Sequence, residues 1–505
     1  LSENEKATNT MYNHLPLFLF LLLPFGLLAQ ASSLQQSDVE FPLRFLAADE
    51  LGGRRTGEMG NDLAARFIAE YFRTHGLQTV EGAEDYYQSI PFNGITPPTT
   101  ATLTLNEKTY QQGDQLLIMT GTTANIEGKA VFAGYGWVDA ETGHNDYEKL
   151  NVKDKIVFVL PGTPTVSDPA TIFRAMGEKR KLAADLGAAA IIELYQLSFP
   201  WKFFVNYFNK ESIQVEGKTA DQPISYGFVN GIEKEVIERL RKGKKVKVAL
   251  THDSYQKRSI DAQNVIGVLE GSDPQLKNEY VLLTAHYDHV GTGANGGGAF
   301  TPQDSIFNGA RDNALGTVAL LGALKVLAQQ RPKRSVIFLA VTAEEIGLLG
   351  SAYYAENPLI PLEQTIFNLN SDGAGYDDTT AISVVGYGRT GTDEWVDQAA
   401  ASAGLKVLPN PAPEQNLYDR SDNVSFARKG VPAINFSGGV TGFSPEIGKY
   451  YHQVADEAAS IDFPYFTRVC RVFAQLATTI ANSNTKPFWI ADDKYEAAGK
   501  ALYNK

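Results

Sequence analysis

The sequence contains almost no cysteine. Cys470 is the single one among 505 residues. This excludes an intrachain disulfide framework and a metal site built from several thiolates. Cys470 lies in an apolar helical pattern with Val469 and Val472. We therefore expect it to be a buried core residue and not a reactive thiol.

The chain also lacks an excess of positive charge. Lys and Arg number 45 against 58 Asp and Glu, and the formal net charge is −13. Such a surface repels a phosphate backbone overall, so nucleic acid is not expected as a partner. The hydrophobic content of 43% and the charged content of 20% are ordinary for a soluble globular protein. A chain of this length has room for more than one domain.

Long apolar runs are missing after residue 31. The one apolar run, Leu15–Leu28, follows Met11 and ends in Ala29-Gln30-Ala31. Residues 11–31 are therefore predicted to be a secretory signal, with residues 1–10 preceding the true start. The run is short for a membrane span, although an uncleaved anchor helix is the alternative. We expect a secreted or periplasmic protein with no stable membrane anchor after signal removal.

Three sections and a tail follow this segment. Residues 40–112 contain a helical pattern, and residues 113–255 contain short β-type runs between loops rich in Gly, Pro and Tyr. The latter section is interpreted as a small β-rich module inserted into a larger unit. Residues 256–482 alternate apolar strands with helices, which predicts an α/β fold with a mostly parallel mixed sheet and helices on both faces. Residues 483–505 form a polar tail whose Phe488-Trp489-Ile490 cluster is expected to dock on the body.

Side chains of the metal-ligand type follow several predicted strands. They are His286 and Asp288 after 280–285, Glu344 and Glu345 after 335–341, and Asp372 after 366–369, joined by Asp312 at a helix start and His452 in a loop. Each alone has an ordinary explanation as a helix cap, a turn or a solvated helix start. The carboxyl ends of strands in an open α/β sheet form its sites, however, so together these residues predict a metal site.

The donor types indicate which metal such a site would hold. Two imidazoles and several carboxylates without thiolates suit zinc kept open for catalysis, not a closed structural zinc. A carboxylate that bridges two ions about 3.5–4 Å apart is the arrangement of hydrolytic two-metal sites. Cobalt or manganese would fit similar ligands.

Short strings around these residues form a combination that is more specific than any one of them. They are Asn264-Val265-Ile266-Gly267, Ala285-His286-Tyr287-Asp288-His289, Gly309-Ala310-Arg311-Asp312-Asn313-Ala314, Ala343-Glu344-Glu345-Ile346-Gly347-Leu348, Gly350-Ser351, Asn370-Ser371-Asp372 and Tyr451-His452. Residues 264–456 thereby resemble the M28 family of co-catalytic zinc peptidases, aminopeptidase type. The resemblance implies the zinc-peptidase form of the α/β fold, with a discontinuous catalytic domain, 40–112 and 256–482.

The resemblance extends to most of the remaining chain. Residues 51–57, Leu-Gly-Gly-Arg-Arg-Thr-Gly, resemble the family's N-terminal motif. The inserted section resembles a protease-associated (PA) domain through Ala133-Gly134-Tyr135-Gly136, Asp146-Tyr147, Val152-Lys153-Asp154-Lys155-Ile156 and Gly187-Ala188-Ala189. A PA-like domain at 113–255 is therefore expected within the catalytic unit.

The resemblance implies two zinc ions per chain. His286 and Asp372 would bind one zinc, Glu345 and His452 would bind the other, and Asp312 would bridge them. Peptides would be the substrates.

Two further roles follow from the same resemblance. Asp288 would hydrogen-bond the far nitrogen of His286 and fix its orientation. Glu344 would act as general base on the zinc-bridging water and then pass the proton to the leaving amine. His289 has no implied role and is interpreted as a loop residue or a support for a ligand. The other histidines outside the pattern are interpreted as surface or structural residues, namely His75, His144 and His252.

A secreted di-zinc aminopeptidase is thus the leading interpretation of the sequence. The same scaffold would also suit a carboxypeptidase or a glutaminyl cyclase. An alternative of another class is a non-catalytic binding protein with a vestigial metal site. Two positions depart from the family pattern: Asn423 stands where His often follows Ser421-Asp422, and Gly373 stands where Met often follows the ligand Asp372. These departures bear on pocket shape and specificity.

An aromatic stretch in the inserted section allows two interpretations. Residues 198–204, Ser-Phe-Pro-Trp-Lys-Phe-Phe, are followed by Tyr207 and Phe208. If exposed, these rings would line a substrate cleft. If buried, they would form the core of the module or its interface with the catalytic unit.

Overall fold

The computed structural model describes residues 34–140, 142–165, 169–217 and 224–503. The predicted signal segment, 11–31, lies outside this range. None of the helices in the described part of the chain is long and apolar enough to cross a membrane.

Helices occur throughout the described residues. In chain order they are α1 Gln36–Leu46, α2 Met59–Thr74, α3 Pro169–Asp185, α4 Trp201–Phe208, α5 Lys234–Arg241, α6 Leu315–Gln330, α7 Leu349–Glu356, α8 Asp393–Ser402, α9 Asn423–Ala427, α10 Pro445–Tyr450, α11 Phe463–Asn482 and α12 Glu496–Tyr503. A short π-helical turn, Ala310–Ala314, leads into α6.

The strands form two large sheets and two short hairpins. In chain order they are β1 Tyr87–Thr96, β2 Ala101–Leu105, β3 Lys108–Gln111, β4 Leu116–Thr120, β5 Ala124–Phe132, β6 Val138–Asp139, β7 His144–Asn145, β8 Ile156–Val159, β9 Ala190–Leu194, β10 Ser212–Val215, β11 Ser225–Val229, β12 Lys247–His252, β13 Gln256–Leu269, β14 Tyr280–His286, β15 Gly291–Thr292, β16 Ile306–Phe307, β17 Ser335–Val341, β18 Thr365–Ser371, β19 Ala381–Val385, β20 Lys406–Pro409 and β21 Ala433–Gly438.

The first sheet has nine strands in the order β10-β1-β13-β17-β14-β18-β21-β19-β20 among the described residues. Its centre, β17-β14-β18-β21, is parallel. Strands β10, β1 and β13 continue antiparallel on one side, and β19 joins β21 antiparallel on the other. The predicted α/β fold with a mixed sheet is confirmed. Parallel pairing is concentrated at the centre, however, and does not extend over most of the width.

The central strands are apolar on both faces because both faces are covered. In β17, Val336 and Phe338 pack into the core beneath α1, α2, α6 and α11. The alternate residues Ile337 and Leu339 pack with Tyr354 of α7 on the opposite face. Successive side chains of a strand point to opposite faces, so a buried strand with two covered faces has a continuous apolar sequence. The prediction of helices on both faces is confirmed.

The second sheet is built from the inserted section in the order β3-β2-β12-β5-β8-β9-β11-β4. It begins at Ala101, earlier than the predicted boundary at 113, because the β2–β3 hairpin already pairs with β12. Strand β10, inside the predicted insert, instead pairs antiparallel with β1 of the first sheet. The inserted section therefore returns to the larger unit before it ends.

The aromatic stretch mostly contributes to the core of the inserted section. Phe204 of α4 is buried and packs against Phe228 of β11 at 4.7 Å between ring centroids. The indole of Trp201 donates a hydrogen bond to the carbonyl of Asp114. Tyr207, in contrast, remains 56% exposed. The core interpretation holds for Trp201 and Phe204, but not for the end of the helix.

The C-terminal tail docks on the first unit. Trp489 is buried, and its indole donates to the carbonyl of Gly430 at 2.9 Å. Arg389 makes a two-pronged ion pair with Asp493 at 2.7 and 2.9 Å. The predicted docking is confirmed through Trp489, while Phe488 stays exposed.

Candidate metal centre

Three neighbouring strands of the first sheet end at the same edge. Strand β14 ends at His286, β17 is followed by the segment that carries Glu344, and β18 is followed by Asp372. Since β17, β14 and β18 are parallel neighbours, their carboxyl ends bring these side chains together. Asp312 reaches the same place from the turn before α6.

One group of ligand atoms forms around His286. Its Nε2 atom lies 3.2 Å from Oδ1 of Asp372 and 3.4 Å from Oδ1 of Asp312. His286 is buried, and each of the two carboxylates is at least largely so. These three residues could hold a metal ion.

A second group forms around His452. Its Nε2 atom lies 3.2 Å from Oδ2 of Asp312 and 3.1 Å from Oε2 of Glu345. The two carboxylate oxygens of Asp312 therefore face different histidines. His289 joins this group, with Nδ1 at 2.7 Å from Oε1 of Glu345. These four residues form a second set that could hold a metal ion.

The donor atoms of both groups fit a divalent metal. The Nε2 atoms of His452 and His289 are buried and have no hydrogen-bond partner among the described residues. A buried nitrogen without a partner is costly unless a ligand satisfies it. Imidazole nitrogens and carboxylate oxygens within 4.8 Å of one another, without thiolates, are the donors that open zinc sites use.

Glu345 and Asp312 are held in their ionised forms. Burial alone would raise the pKa of Glu345, but the charges and hydrogen bonds of His289 and His452 outweigh it and lower the pKa to about 2. Burial likewise opposes ionisation of Asp312, yet His286 and His452 lower the pKa of this carboxyl well below its ordinary range. Carboxylates that remain ionised are suited to bind cations.

Glu344 is in the opposite electrostatic situation. Burial raises its pKa well above the ordinary range, and the charges of Asp372 and Glu345 add to this against the opposing charge of His286. Its carboxylate lies 4.0 Å from Nε2 of His286. A carboxyl with a high proton affinity beside a set of ligands is suited to carry a proton.

Asp288 does not make the predicted bond to His286. Its carboxylate is 3.7 Å from Nδ1 of His286, which is too long for a hydrogen bond, and its backbone carbonyl is nearer at 3.2 Å. The carboxylate instead accepts hydrogen bonds from the backbone N–H groups of Glu344 and Glu345 at 3.2 and 3.4 Å. Asp288 therefore fixes the segment of the two glutamates as well as lying behind the histidine.

Arg54 ties together the loops beneath the site. Its buried guanidinium donates to the carbonyls of Tyr287 at 2.7 Å, Asn308 at 2.5 Å and Gly309 at 2.9 Å, and also to that of Leu46. Burial lowers its pKa to about 10, although several nearby carboxylates oppose the shift. The sequence reveals the motif around Arg54 but not that its side chain spans three segments.

Asp456 supports the turn that carries Asp312. It is fully buried and accepts hydrogen bonds from the backbone N–H groups of Arg311 at 2.8 Å and Asp312 at 3.2 Å. The turn also requires Gly309, whose φ is +61° and whose Cβ, if present, would lie 2.5 Å from the ring of His289. Neither Asp456 nor Gly309 is of a type that a donor pattern alone would single out.

Two cavities open onto the centre. A pocket of about 120 Å³ touches Glu344 and Asp372 and has a mostly apolar wall. That wall includes Val385, Leu417, Val440, Phe443, Ile447 and Tyr451. A larger cavity of about 480 Å³ touches His289, Glu345 and His452 and extends to the inserted section.

The remaining histidines lie away from both groups. His252 is buried and pairs with Oγ of Ser225 at 2.8 Å, while Nδ1 of His75 lies 2.8 Å from the carbonyl of Tyr71. Nε2 of His144 lies 3.1 Å from Asp146 in the inserted section. Cys470 is buried in the core. These contacts agree with surface or structural roles.

Comparison with known families accounts for the motif set. Residues 264–477 match Peptidase family M28. The chain carries a domain of peptidase family M28. All five predicted ligands and Glu344 fall within the matched segment of this domain.

Individual relatives of the M28 protein cover different shares of it. Aminopeptidase YwaD of Bacillus subtilis (strain 168) is 28% identical over 293 residues, which are 56% of this chain and 55% of YwaD. The chain thus spans about half the length of that relative. The structure is similar to an aminopeptidase from Aneurinibacillus sp. strain AM-1, with a TM-score of 0.61, 19% identity and coverage of 90% of this chain and 96% of that one.

A second solved structure is similar over the same extent. BSAP, a zinc aminopeptidase from Bacillus subtilis, matches with a TM-score of 0.50 and 20% identity over 90% of this chain and 97% of its own. At such identities the likeness shows the fold. The sheet order and the inserted section are therefore features of a known architecture.

Proposed function

We propose that this M28 protein is a di-zinc aminopeptidase that removes N-terminal residues from peptides. The observation that carries the proposal is the geometry of Asp312, whose two oxygens face His286 at 3.4 Å and His452 at 3.2 Å. A carboxylate that serves two ligand groups is the bridge that a two-metal hydrolase requires. Similarity to YwaD, named an aminopeptidase, and to BSAP, named a zinc aminopeptidase, supports the same activity.

The proposed ligands divide between two zinc ions. His286 and Asp372 hold one, Glu345 and His452 hold the other, and Asp312 bridges them. His289 supports the second ion by orienting Glu345 through their 2.7 Å contact. Bound zinc would polarise the scissile carbonyl and lower the pKa of a nearby water.

Glu344 is the proposed general base. It accepts a proton from the attacking water and donates it to the nitrogen of the leaving amine. Its high proton affinity arises from burial among carboxylates, and positive charge on the neighbouring ligand groups would bring its pKa back toward neutral. The backbone N–H groups of Glu344 and Glu345, anchored on Asp288, keep the two side chains in different positions.

The two cavities support the assignment of the substrate's direction. The apolar pocket beside Glu344 and Asp372 suits a single apolar side chain at the N-terminal position. The larger cavity on the side of Glu345 and His452 has room for the residues after the scissile bond. A peptide therefore enters with its N-terminal residue in the pocket.

The test compares leucine p-nitroanilide with its N-acetylated form, each with and without a chelator. The proposal expects hydrolysis of the free-amine substrate alone, lost with the chelator and restored by zinc. Cleavage that requires a free C-terminal carboxylate would identify a carboxypeptidase instead. A pyroglutamate product from an N-terminal glutaminyl peptide would identify a glutaminyl cyclase.

The inserted section and the export of the protein belong to the same proposal. The inserted residues form a PA-like domain that covers the larger cavity, and residues 11–31 act as a cleaved secretory signal. The discontinuous unit around the first sheet is the catalytic domain. N-terminal sequencing of the protein recovered outside the cytoplasm checks the signal, with a start shortly after Ala31 as the expected result.

A further inference from the structure

The larger cavity has one wall from each sheet. Asp288, Glu345 and His452 line it at the metal centre. Arg180 of α3 and Tyr226 of β11 line it on the inserted section. Its volume of about 480 Å³ is within the range of about 300–1,000 Å³ that small ligand sites occupy. The walls differ in charge, since the carboxylates are at the metal end.

Arg180 lines this cavity without an anionic partner. Its guanidinium is partly buried and makes no hydrogen bond or ion pair with any residue in the described ranges. Burial lowers its pKa, and only the tyrosines Tyr226 and Tyr255 weakly oppose the shift. A guanidinium taken out of water without a counter-ion is costly, so the residue fits a site that an anionic ligand completes.

Lys210 adds a second cation to the same cavity. Its ammonium lies 3.5 Å from the carbonyl of Asn295 and 5.6 Å from the ring centroid of Tyr207. It makes no ion pair with a carboxylate in the part of the chain that the structure describes. Burial and the neighbouring charge of Arg55 lower its pKa. Two cations on the same cavity therefore lack acidic partners.

The one acidic group on this side of the cavity is already engaged. Glu211 forms a two-pronged ion pair with Arg258 at 2.6 and 2.8 Å and lies 3.7 Å from Arg55. Arg55 also pairs with Glu58 at 3.1 Å. The charge that is left uncompensated is therefore positive, and it belongs to Arg180 and Lys210.

We propose that Arg180 and Lys210 bind the C-terminal carboxylate of a short peptide whose N-terminal residue occupies the metal centre. This inference rests on the proposed aminopeptidase function and names its substrate class. Arginine and lysine bind carboxylates through charge-assisted hydrogen bonds, which are stronger in a partly buried site. Long peptides cannot bring their C-terminal carboxylate to this position, so short peptides with a free C-terminus are the preferred substrates.

The test compares Leu-Ala-Ala with Leu-Ala-Ala-amide as substrates of the full chain loaded with zinc. The wild-type protein is expected to show a kcat/KM at least about tenfold higher for the acid, as for a charge-assisted bond of ordinary strength. In R180Q and in K210Q the ratio of acid to amide is expected to fall toward one. The matched control is K181Q, which removes an exposed charge next to Arg180 on the same helix and should keep the wild-type ratio.

A third substrate separates the two sources of a carboxylate. Leu-Ala-Glu-amide carries one on a side chain and none at its C-terminus. A preference for Leu-Ala-Ala over both amides supports the proposal. A preference for Leu-Ala-Glu-amide over Leu-Ala-Ala would overturn it and assign the cations to an acidic side chain.

Folding and activity controls keep the outcomes distinct. Because Arg180 is unpaired in the free protein, R180Q should not lower the melting temperature. If R180Q failed to fold, the partly exposed Lys210 would decide the question through K210Q. Equal hydrolysis of acid and amide by the wild type would overturn this inference and leave the aminopeptidase intact. Absence of hydrolysis of either peptide and of leucine p-nitroanilide would overturn the proposed function itself.

Discussion

Glu344 and Glu345 are adjacent in the chain and have opposite proton affinities. Contacts with His289 and His452 lower the pKa of Glu345 to about 2, whereas burial among carboxylates raises the pKa of Glu344 well above its ordinary range. Just past the end of β17 the two side chains point to different surroundings. One is suited to ligate a cation and the other to carry a proton, so the pair separates metal binding from acid–base chemistry.

The first prediction concerns Glu344. Glu344→Gln keeps the shape of the side chain but removes its ability to take a proton. We expect a folded protein that binds zinc normally and whose kcat is lower by about 10²–10⁴-fold. Zinc content by mass spectrometry and steady-state hydrolysis of leucine p-nitroanilide measure the two properties. Glu363→Gln, at an exposed position beyond α7, is the control. Turnover near the wild-type level in Glu344→Gln would remove the assigned base.

The second prediction concerns pH and metal binding. Burial alone would lower the pKa of His452, but hydrogen bonds and charges from Asp312 and Glu345 raise it from 6.5 to about 10. At neutral pH the metal-free protein therefore carries a proton on His452, and a metal must displace it. Zinc affinity should fall as pH falls below about 10, with protons released on binding. Calorimetry in two buffers of different ionisation enthalpy measures this release, and a binding heat independent of the buffer would contradict it.

The same raised pKa has a consequence for the stability of the metal-free protein. The charged His452 contributes stability that is fully present below its ordinary pKa of 6.5 and is lost as pH rises toward about 10. Metal-free protein should therefore become less stable over this interval, and the loss should be smaller in His452→Ala. Urea unfolding at several pH values checks the sign of the trend.

The third prediction concerns Arg54 as a positioning residue. Arg54→Met leaves the carbonyls of Tyr287, Asn308 and Gly309 without their buried donor. Unpaired buried groups cost about 1–3 kcal/mol each, so we expect the free energy of unfolding to fall by about 3 kcal/mol or more. Arg66→Met, which removes an exposed arginine on α2, should change it by about 1 kcal/mol or less. Equal unfolding midpoints for the two variants would argue against this role.

The fourth prediction concerns the N-terminal side chain of the substrate. The pocket beside Glu344 has a mostly apolar wall that includes Val440 and Ile447, with Arg420 also at the lining. A lysine side chain would lose its hydration there and would be repelled by Arg420. We expect leucine p-nitroanilide to exceed lysine p-nitroanilide in kcat/KM by about tenfold or more, with Val440→Asp narrowing the gap. A wild-type preference for lysine would show that this pocket does not receive the N-terminal side chain.

The parts of the fold that the sequence predicts well are those with strong local patterns. Strand β17 is an uninterrupted apolar run, 335–341, and the structure has the same bounds. Strand β1 was not recognised, because its alternation is interrupted at Pro91 and its partners β10 and β13 lie far along the chain. The β2–β3 hairpin was likewise placed in the wrong unit, since only pairing with β12 shows where it belongs.

The candidate site shows the same limit. Residue types at strand ends suffice to name His286, Glu345 and Asp372, because parallel neighbouring strands bring their carboxyl ends together. The contact of His289 with Glu345 depends on the path of the loop after β14, which no periodicity describes. The same holds for Asp288, whose carboxylate turns toward the backbone of the two glutamates and not toward His286.

The central claim is a two-metal centre bridged by Asp312, and a zinc titration of the metal-free protein tests it most directly. Activity on leucine p-nitroanilide is followed while zinc is added, together with the zinc bound per chain. The account predicts that activity reaches its maximum only when two zinc ions are bound, and that Asp312→Asn loses both high-affinity sites while the exposed Asp154→Asn retains them. Full activity with one bound zinc, or unchanged zinc binding in Asp312→Asn, would contradict the account.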